Sequence, residues 1–254
     1  MKNHETQNAQ RTMLITGATS GFGRATAKLA AAAGFQLVLT GRRKDRLEAL
    51  RAEFNAQVLR ILCFDVRDRA ATVEAIGSLT DSEIPDVLVN NAGLAVGKEP
   101  LDAGHYDDWD RMIDTNVKGL LNVTRELTPR MVAGARIINV GSVAGRQAYP
   151  GGAVYNASKF AVDGLTHAMR MDLLPRGIQV AQVAPGAAET EFSLVRFKGD
   201  DAAAQAVYAG FQPLSAEDVA DAILYIATRP SHVSIQDVLI MPAAQASAYH
   251  IHRS

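Results

Sequence analysis

Residues 12–34 read TMLITGATSGFGRATAKLAAAAG. The apolar start of this stretch predicts a short buried strand, and the alanine-rich run from Gly21 predicts a helix that ends at Gly34. Between them, Gly17, Gly21 and Gly23 let the backbone turn tightly and approach a pyrophosphate, whose charge then meets the helix N-terminus. Because the spacing is G-x-x-x-G-x-G rather than G-x-G-x-x-G, an ordinary strand–helix turn is the alternative. The strand–helix–strand context favours dinucleotide binding.

Six further apolar runs alternate with helical segments along the rest of the chain. The strands are predicted within residues 36–40, 58–66, 85–93, 135–142, 178–186 and 234–242. Helices are predicted at residues 41–54, 67–79, 106–132, 152–176 and 215–230. Strands that are apolar on both faces and alternate with helices are typical of a buried parallel sheet. We therefore expect an α/β fold with a doubly wound parallel sheet of about seven strands flanked by helices.

The pattern predicts a single domain with short additions at its ends. Residues 1–11 form a polar leader, residues 12–240 the domain, and residues 241–254 a tail. Residues 187–213 are the longest irregular stretch, and such stretches are often lids. The leader lacks the apolar core of a signal peptide.

Composition narrows the class of partner and the location. The 254 residues have a formal net charge of −1, which gives no indication of a nucleic-acid or membrane partner. No apolar stretch approaches the roughly 20 residues of a membrane span. The single cysteine, Cys63, excludes an intramolecular disulfide, and its apolar neighbours predict a core position. We expect a cytoplasmic protein.

Residues 141–159, GSVAGRQAYPGGAVYNASK, hold the candidate catalytic groups. Tyr155 and Lys159 are neighbours on one helix face. A positive charge roughly 5 Å from a phenol, at an effective dielectric of about 20, lowers its pKa by about two units, towards the range of acid–base catalysis. Ser142 follows a buried strand, at the edge where such sheets bind ligands. Taken alone, Y-x-x-x-K more often marks an ordinary helical pair with a solvated lysine.

Two arginines after the second strand indicate which dinucleotide is bound. An NAD-binding chain usually has an acidic residue about 20 residues after the glycines, for the ribose hydroxyls. Here Arg42 and Arg43 stand at that place, and the nearest acid, Asp45, lies beyond both. A guanidinium suits the 2′-phosphate of NADP, so the sequence predicts NADP(H). Asp65 and Val66 are expected near the adenine.

These motifs together resemble the classical short-chain dehydrogenase/reductase family. The resemblance covers nearly the whole chain after the leader, through TGATSGFG, the NNAG of residues 90–93, Asn116, Ser142, the YNASK of residues 155–159 and the PG of residues 185–186. A narrower similarity, to the NADP-dependent 3-hydroxy acid (serine, allo-threonine) dehydrogenases and sulfoacetaldehyde reductases, lies in TGRRKDRLEAL, NNAGLAVGKEP, EFSLVRFKGDD and the LIMP-to-tail ending.

The resemblance implies a Rossmann-like domain and roles for particular residues. Tyr155 would be the general acid in reduction, Ser142 would bind the reacting oxygen, Lys159 would depress the tyrosine pKa and hold the nicotinamide ribose, and Asn116 would anchor a water relay. The expected cofactor-binding set is Gly17, Thr19, Ser20, Gly21, Phe22, Gly23, Arg42, Arg43, Asp65, Val66, Asn91, Ala92, Gly93, Tyr155, Lys159, Pro185, Gly186 and Thr190. No metal is expected.

Basic residues near the expected pocket suggest a small anionic substrate. Arg146, four residues after Ser142, is the first candidate to grip a carboxylate or sulfonate, beside Ser142 and Tyr155 as substrate contacts. A solvated loop arginine is the equal alternative. Arg196, Lys198 and Arg253 are further candidates.

The sequence favours NADPH-dependent reduction of a short anionic aldehyde, and the extra arginine favours sulfoacetaldehyde, giving isethionate. Oxidation or formation of 3-hydroxy acids (malonic semialdehyde/3-hydroxypropionate, serine, allo-threonine) is the alternative. A non-catalytic NADP(H) sensor and a reductase of bulky apolar ketones are favoured less. The apolar faces of the helices at 106–132 and 152–174, which pair between subunits in this family, predict a homotetramer.

Overall fold

The computed structural model describes residues 10–254, so most of the predicted polar leader lies outside the described residues. The strands are β1 Thr12–Ile15, β2 Gln36–Gly41, β3 Val58–Cys63, β4 Val87–Asn90, β5 Arg136–Val140, β6 Gln179–Pro185 and β7 Asp237–Ile240. The helices are α1 Gly21–Ala32, α2 Lys44–Phe54, α3 Arg69–Gly77, α4 Tyr106–Ile113, α5 Leu120–Leu127, α6 Ala153–Leu173, α7 Glu191–Arg196, α8 Asp201–Ala206 and α9 Ala216–Ala227.

The seven strands form one parallel sheet in the order β3-β2-β1-β4-β5-β6-β7. The chain winds outward from β1 in one direction through β3, then returns to β4 and winds outward in the other. The carboxyl ends of β1 and β4 therefore diverge into loops on opposite sides, and this gap is where such sheets bind ligands. The predicted doubly wound parallel sheet is confirmed.

Helices cover both faces of the sheet, which explains why the strands are apolar throughout. β1, β4 and β5 are buried at every position. One core cluster packs α1, α2 and α9 against the sheet, and the other packs α3, α5 and α6 against its opposite face. Because neither face meets water, the two-residue alternation of a half-exposed strand is absent from these three strands.

The predicted helix at residues 106–132 is interrupted by a wide turn. Regular α-helix at Tyr106–Ile113 and Leu120–Leu127 flanks a π-helical segment at Asp114–Gly119, and a 3₁₀ turn ends the run. A π turn contains one residue more than an α turn and is often found at functional sites. Asn116 lies within it, buried to 2% exposure.

Two smaller expectations are wrong. The second helix begins at Lys44 with Arg43 as its N-cap, because β2 extends through Gly41, so the arginines precede the helix rather than start it. Cys63 is exposed rather than buried. It is the last residue of β3, which is an edge strand, and its thiol lies 3.6 Å from the carbonyl of Arg42.

The stretch at residues 187–213 contains two short helices, α7 and α8, and the tail packs against it. Arg253 donates hydrogen bonds to the carbonyls of Val207 and Ala209, and the amide of Ser254 donates to Gly210. Gln245 is buried and accepts a hydrogen bond from the amide of Ala187. In residues 10–254 no helix combines the length and the apolar character needed to cross a membrane.

Candidate active site

A cavity of about 260 Å³ opens at the divergence of β1 and β4. Among its lining residues are fifteen of the expected cofactor-binding residues: Gly17, Thr19, Ser20, Gly21, Phe22, Arg42, Arg43, Asp65, Val66, Asn91, Ala92, Gly93, Tyr155, Lys159 and Thr190. Others were not predicted, including Thr40, Phe64, Leu94, Thr115, Glu191, Phe192 and Val195. Segments from five of the seven strand ends, from α6 and from α7 thus meet around one space.

The glycine loop is shaped to bring backbone close to a ligand. Gly17 and Gly21 have φ values of +65° and +49°, a region that disfavours side chains. A Cβ on Gly23 would lie 2.4 Å from the Gly17 carbonyl oxygen and 2.5 Å from Nδ2 of Asn91. Ser20, the N-cap of α1, makes no side-chain cap, so the first amides of that helix remain for a phosphate. The loop fits a pyrophosphate.

Three of the expected residues support the cavity without lining it. Gly23 provides the close contact between α1 and the loop, as its missing Cβ shows. The Pro185 carbonyl lies 3.5 Å from the Ser142 hydroxyl. Gly186 packs against Gln245 of the tail, where a Cβ would lie 2.4 Å from Oε1. Their contribution is to position neighbouring groups.

Arginines surround the outer end of the cavity, where a 2′-phosphate would lie. Arg42 is 3.6 Å from the Asp65 carboxylate, which also pairs with Arg67 at 2.8 Å. Burial alone would raise the pKa of Asp65, but hydrogen bonds from Arg67 bring it below its usual range. Arg43 donates from Nε and Nη2 to the Thr19 hydroxyl, at 3.2 and 3.0 Å. The cationic donors needed for a phosphate are present.

Tyr155 and Lys159 line the inner end of the cavity, and Ser142, which is not among the lining residues, lies beside Tyr155. The Ser142 hydroxyl accepts a hydrogen bond from the amide of Ala144 at 3.1 Å, and its position near the phenol acts to lower the Tyr155 pKa. Lys159 donates to the Val140 carbonyl at 2.9 Å, and its Nζ lies 5.9 Å from the centroid of the Tyr155 ring. Two hydroxyl groups thus lie side by side, where they could stabilise one developing alkoxide.

The expected fall in the Tyr155 pKa is wrong for the protein described here. Burial raises the pKa of the Tyr155 phenol well above its usual range, with Tyr149 adding to this effect and Ser142 and Arg196 opposing it. Burial also lowers the pKa of Lys159 to about 8. Both side chains leave water together, so both charged forms are disfavoured and the ammonium does not offset the phenol's loss of solvation. Tyr155 is therefore protonated and ready to donate.

Asn116 joins three elements around the site. Its Oδ1 accepts from the Leu94 amide, and its Nδ2 donates to the Leu94 carbonyl and to the Ser158 hydroxyl, at 2.8, 2.8 and 2.9 Å. Ser158 in turn donates to the Tyr155 carbonyl at 2.8 Å. Both Nδ2 protons are used inside the protein, so the side chain ties the loop after β4 to the helix of Tyr155. The proposed water relay at this residue stays a prediction.

None of the four basic candidates is among the residues that line the cavity, and three of them bind groups elsewhere, which corrects the expectation for Arg146. Its guanidinium pairs with Asp237 and lies 3.9 Å from Asp163, because the segment after β5 directs it towards the start of β7. Lys198 pairs with Asp108 at 2.7 Å. Arg253 is held by carbonyls of the lid.

Arg196, the remaining candidate, faces Tyr155. Its Cζ lies 5.9 Å from the Tyr155 ring and 5.3 Å from the Tyr149 ring, and Nη1 donates to the Tyr149 hydroxyl at 2.9 Å. Nε and Nη2 are buried and have no hydrogen-bond partner within residues 10–254. Phe192, one helical turn earlier, packs edge-on against Tyr155 at 5.7 Å. Tyr149 was missed, and only its place between Ser142 and Tyr155 could have indicated it.

A doubly wound sheet with a glycine loop at its switch point and a Ser–Tyr–Lys cluster beside it defines an oxidoreductase of the nicotinamide-dependent class. Residues 11–200 match the sequence profile of the family described as short chain dehydrogenase. The chain belongs to this family.

Characterised relatives cover almost the entire chain. It is 49% identical over 247 residues to sulfoacetaldehyde reductase 2 of Chromohalobacter salexigens, covering 95% of this chain and 98% of the relative. It is 45% identical to an NADP-dependent 3-hydroxy acid dehydrogenase of Salmonella typhi, covering 95% and 99%. The closed form of a serine dehydrogenase complexed with NADP⁺ superposes with a TM-score of 0.90 at 42% identity, covering 96% and 100%. The chain is an NADP-dependent oxidoreductase.

Proposed function

We propose that the chain reduces a short anionic aldehyde with NADPH, and that the substrate is sulfoacetaldehyde, which gives isethionate. The observation that carries the proposal is the buried, partly unpaired guanidinium of Arg196 beside Tyr155. A buried cation without its full set of partners is costly in free energy, so such a group in a reaction site indicates an anionic ligand. The sulfoacetaldehyde reductases among its relatives support the same choice.

The donor set around Arg196 favours a sulfonate. Nε and Nη2 are two donor atoms without partners among the described residues, and the Tyr149 hydroxyl, which accepts from Nη1, keeps its own proton to donate. Three donor atoms on one side of the substrate suit the three oxygens of a sulfonate better than the two oxygens of a carboxylate. The distance of 5.9 Å between Cζ of Arg196 and the centroid of the Tyr155 ring favours a substrate in which few carbons separate the anionic group from the carbonyl.

The side chains then have distinct parts in the reduction. Bound NADPH supplies the hydride. The Ser142 hydroxyl and the Tyr155 phenol hold the carbonyl oxygen, and Tyr155 delivers its proton as negative charge develops there. Burial keeps this proton on the phenol at neutral pH, which suits reduction. Lys159 has two ammonium protons beyond the one given to Val140, and these are available to the nicotinamide ribose.

Steady-state kinetics with three aldehydes tests the proposal. With NADPH, kcat/KM should be highest for sulfoacetaldehyde, lower for malonic semialdehyde and lowest for neutral propanal. Arg196→Met should lower kcat/KM for both anions by about a hundredfold, as expected for truncating one partner of a buried charge pair, and leave propanal unchanged. Arg125→Met, at a side chain 74% exposed, is the matched control.

Other outcomes separate the alternatives. A higher kcat/KM for malonic semialdehyde, or for serine in the oxidative direction, would identify the 3-hydroxy acid dehydrogenase that relatives also suggest. Equal loss for propanal in Arg196→Met would show that the arginine supports the fold rather than the anion. Turnover retained in Tyr155→Phe would contradict the acid role of the phenol.

Assembly as a homotetramer is part of this proposal. Apolar side chains stand exposed on α4 and α6 and just beyond α6, namely Tyr106, Phe160, Met171 and Leu174, with Tyr106 77% exposed. Apolar clusters of this kind mark interaction surfaces. Light scattering should give four times the mass of one chain; the mass of a single chain would refute it. The single cysteine favours a cytoplasmic setting.

A further inference from the structure

The first residue of the lid helix α7 is paired to the arginines at the outer end of the cavity. The Glu191 carboxylate accepts from Nη1 of Arg43 at 2.9 Å and from Nη1 of Arg46 at 2.6 Å. Arg46 also donates to the Thr19 carbonyl at 3.4 Å. The lid is thus attached to the arginines that the 2′-phosphate of NADP would need.

The charges at this end indicate that the attachment and the phosphate compete. Four cations and two carboxylates meet here: Arg42, Arg43, Arg46, Arg67, Asp65 and Glu191. A phosphate that takes Arg43 also comes close to the Glu191 carboxylate, and like charges at that range oppose binding.

The same lid segment touches the reaction end of the cavity. Thr190 lies over the glycine loop, where a Cβ on Gly21 would be 3.4 Å from its Cβ. Phe192, on the other side of Glu191, packs against Tyr155. A change at Glu191 therefore acts on both the phosphate loop and the catalytic tyrosine through adjacent residues of one short helix.

We propose that Glu191 is a coenzyme-specificity and release determinant, a lid carboxylate that competes with the 2′-phosphate of NADP(H) for Arg43 and Arg46. In the coenzyme-free protein Glu191 holds the lid against the arginines. The 2′-phosphate displaces it, and the displaced carboxylate weakens the bound coenzyme and speeds its release. NAD(H) lacks the phosphate and leaves the pairs intact. The inference rests on the proposed placing of the 2′-phosphate at Arg42 and Arg43.

Coenzyme binding to the full chain, measured by calorimetry, tests this inference. Glu191→Gln should tighten NADP⁺ and adenosine 2′-monophosphate by about three- to tenfold, because partly exposed ion pairs have modest strength, and leave NAD⁺ unchanged. Stopped-flow release of NADP⁺ should slow by a similar factor. The control is Glu189→Gln, since Glu189 is exposed on the same segment and makes no ion pair among the described residues.

The remaining outcomes decide against the inference in distinguishable ways. Unchanged or weaker NADP⁺ binding in Glu191→Gln overturns it and shows that the carboxylate orients the arginines. Equal tightening of NAD⁺ overturns it as well, because the effect would not depend on the phosphate. If Arg43→Ala leaves NADP⁺ binding intact, the placing of the 2′-phosphate itself fails.

Discussion

Replacing Lys159 by Met should remove a specific pH dependence from the stability of the protein. Lys159 is 6% exposed, and its pKa falls from 10.5 to about 8 in the folded chain. Between those two values the unfolded chain binds a proton that the folded chain does not, so the free energy of unfolding rises with pH across this window. The difference of about 2.5 pKa units, at about 1.4 kcal/mol each, makes the full rise on the order of 3–4 kcal/mol.

Urea unfolding followed by circular dichroism, at a fixed protein concentration and at pH 7, 8, 9 and 10, measures this effect. Other groups also titrate in this range, and their contributions cancel in the difference between wild type and Lys159→Met. That difference should grow in favour of the wild type by about 2–3 kcal/mol from pH 7 to pH 10. Lys28→Met, at an exposed position, should show no such trend. Parallel curves for wild type and Lys159→Met would refute the argument that burial governs the pKa of this lysine.

Two further substitutions test the glycine loop and the corrected placing of Arg146. Gly23→Ala should weaken NADPH binding more than tenfold, because the new methyl would lie 2.4 Å from the Gly17 carbonyl oxygen and force α1 away from the loop. Fluorescence titration measures this affinity. A near-wild-type value would show that the loop adjusts to the methyl group at little cost. Arg146→Ala should change kcat/KM for sulfoacetaldehyde by less than about twofold while lowering stability by about 1 kcal/mol, because Asp163 and Asp237 lose their partner. A tenfold fall in kcat/KM would show that Arg146 does contact the substrate.

The doubly wound parallel sheet and the cofactor end of the site could be predicted from the sequence because they depend on local patterns. A buried parallel strand must be apolar at every position, and β1, β4 and β5 show this directly. The glycine loop and the arginine pair follow their strands within a few residues, so the sheet topology itself brings Gly17 and Arg42 to one edge.

Properties that depend on three-dimensional packing could not be predicted from the sequence. The direction of the Arg146 side chain depends on Asp237, which is 91 positions away and adjacent only in the folded sheet. The Tyr155 pKa was predicted from a pairwise charge, whereas burial of both partners dominates it. Glu191 stands beside the predicted Thr190, yet nothing local indicates that it would meet Arg43 and Arg46.

The π turn at Asp114–Gly119 leaves this helix one residue longer than its span requires. Deleting a residue there would convert the turn to regular α-helix and tighten its backbone hydrogen bonding. Because the π turn accommodates the extra residue locally, the flanking helices would keep their orientation, but the side chains within the turn would shift and Asn116 would lose its hydrogen bonds with Leu94. A shortened chain would therefore gain regular helical hydrogen bonding but lose the position of Asn116 in the candidate site. This explains how an irregular turn can persist in an otherwise regular fold.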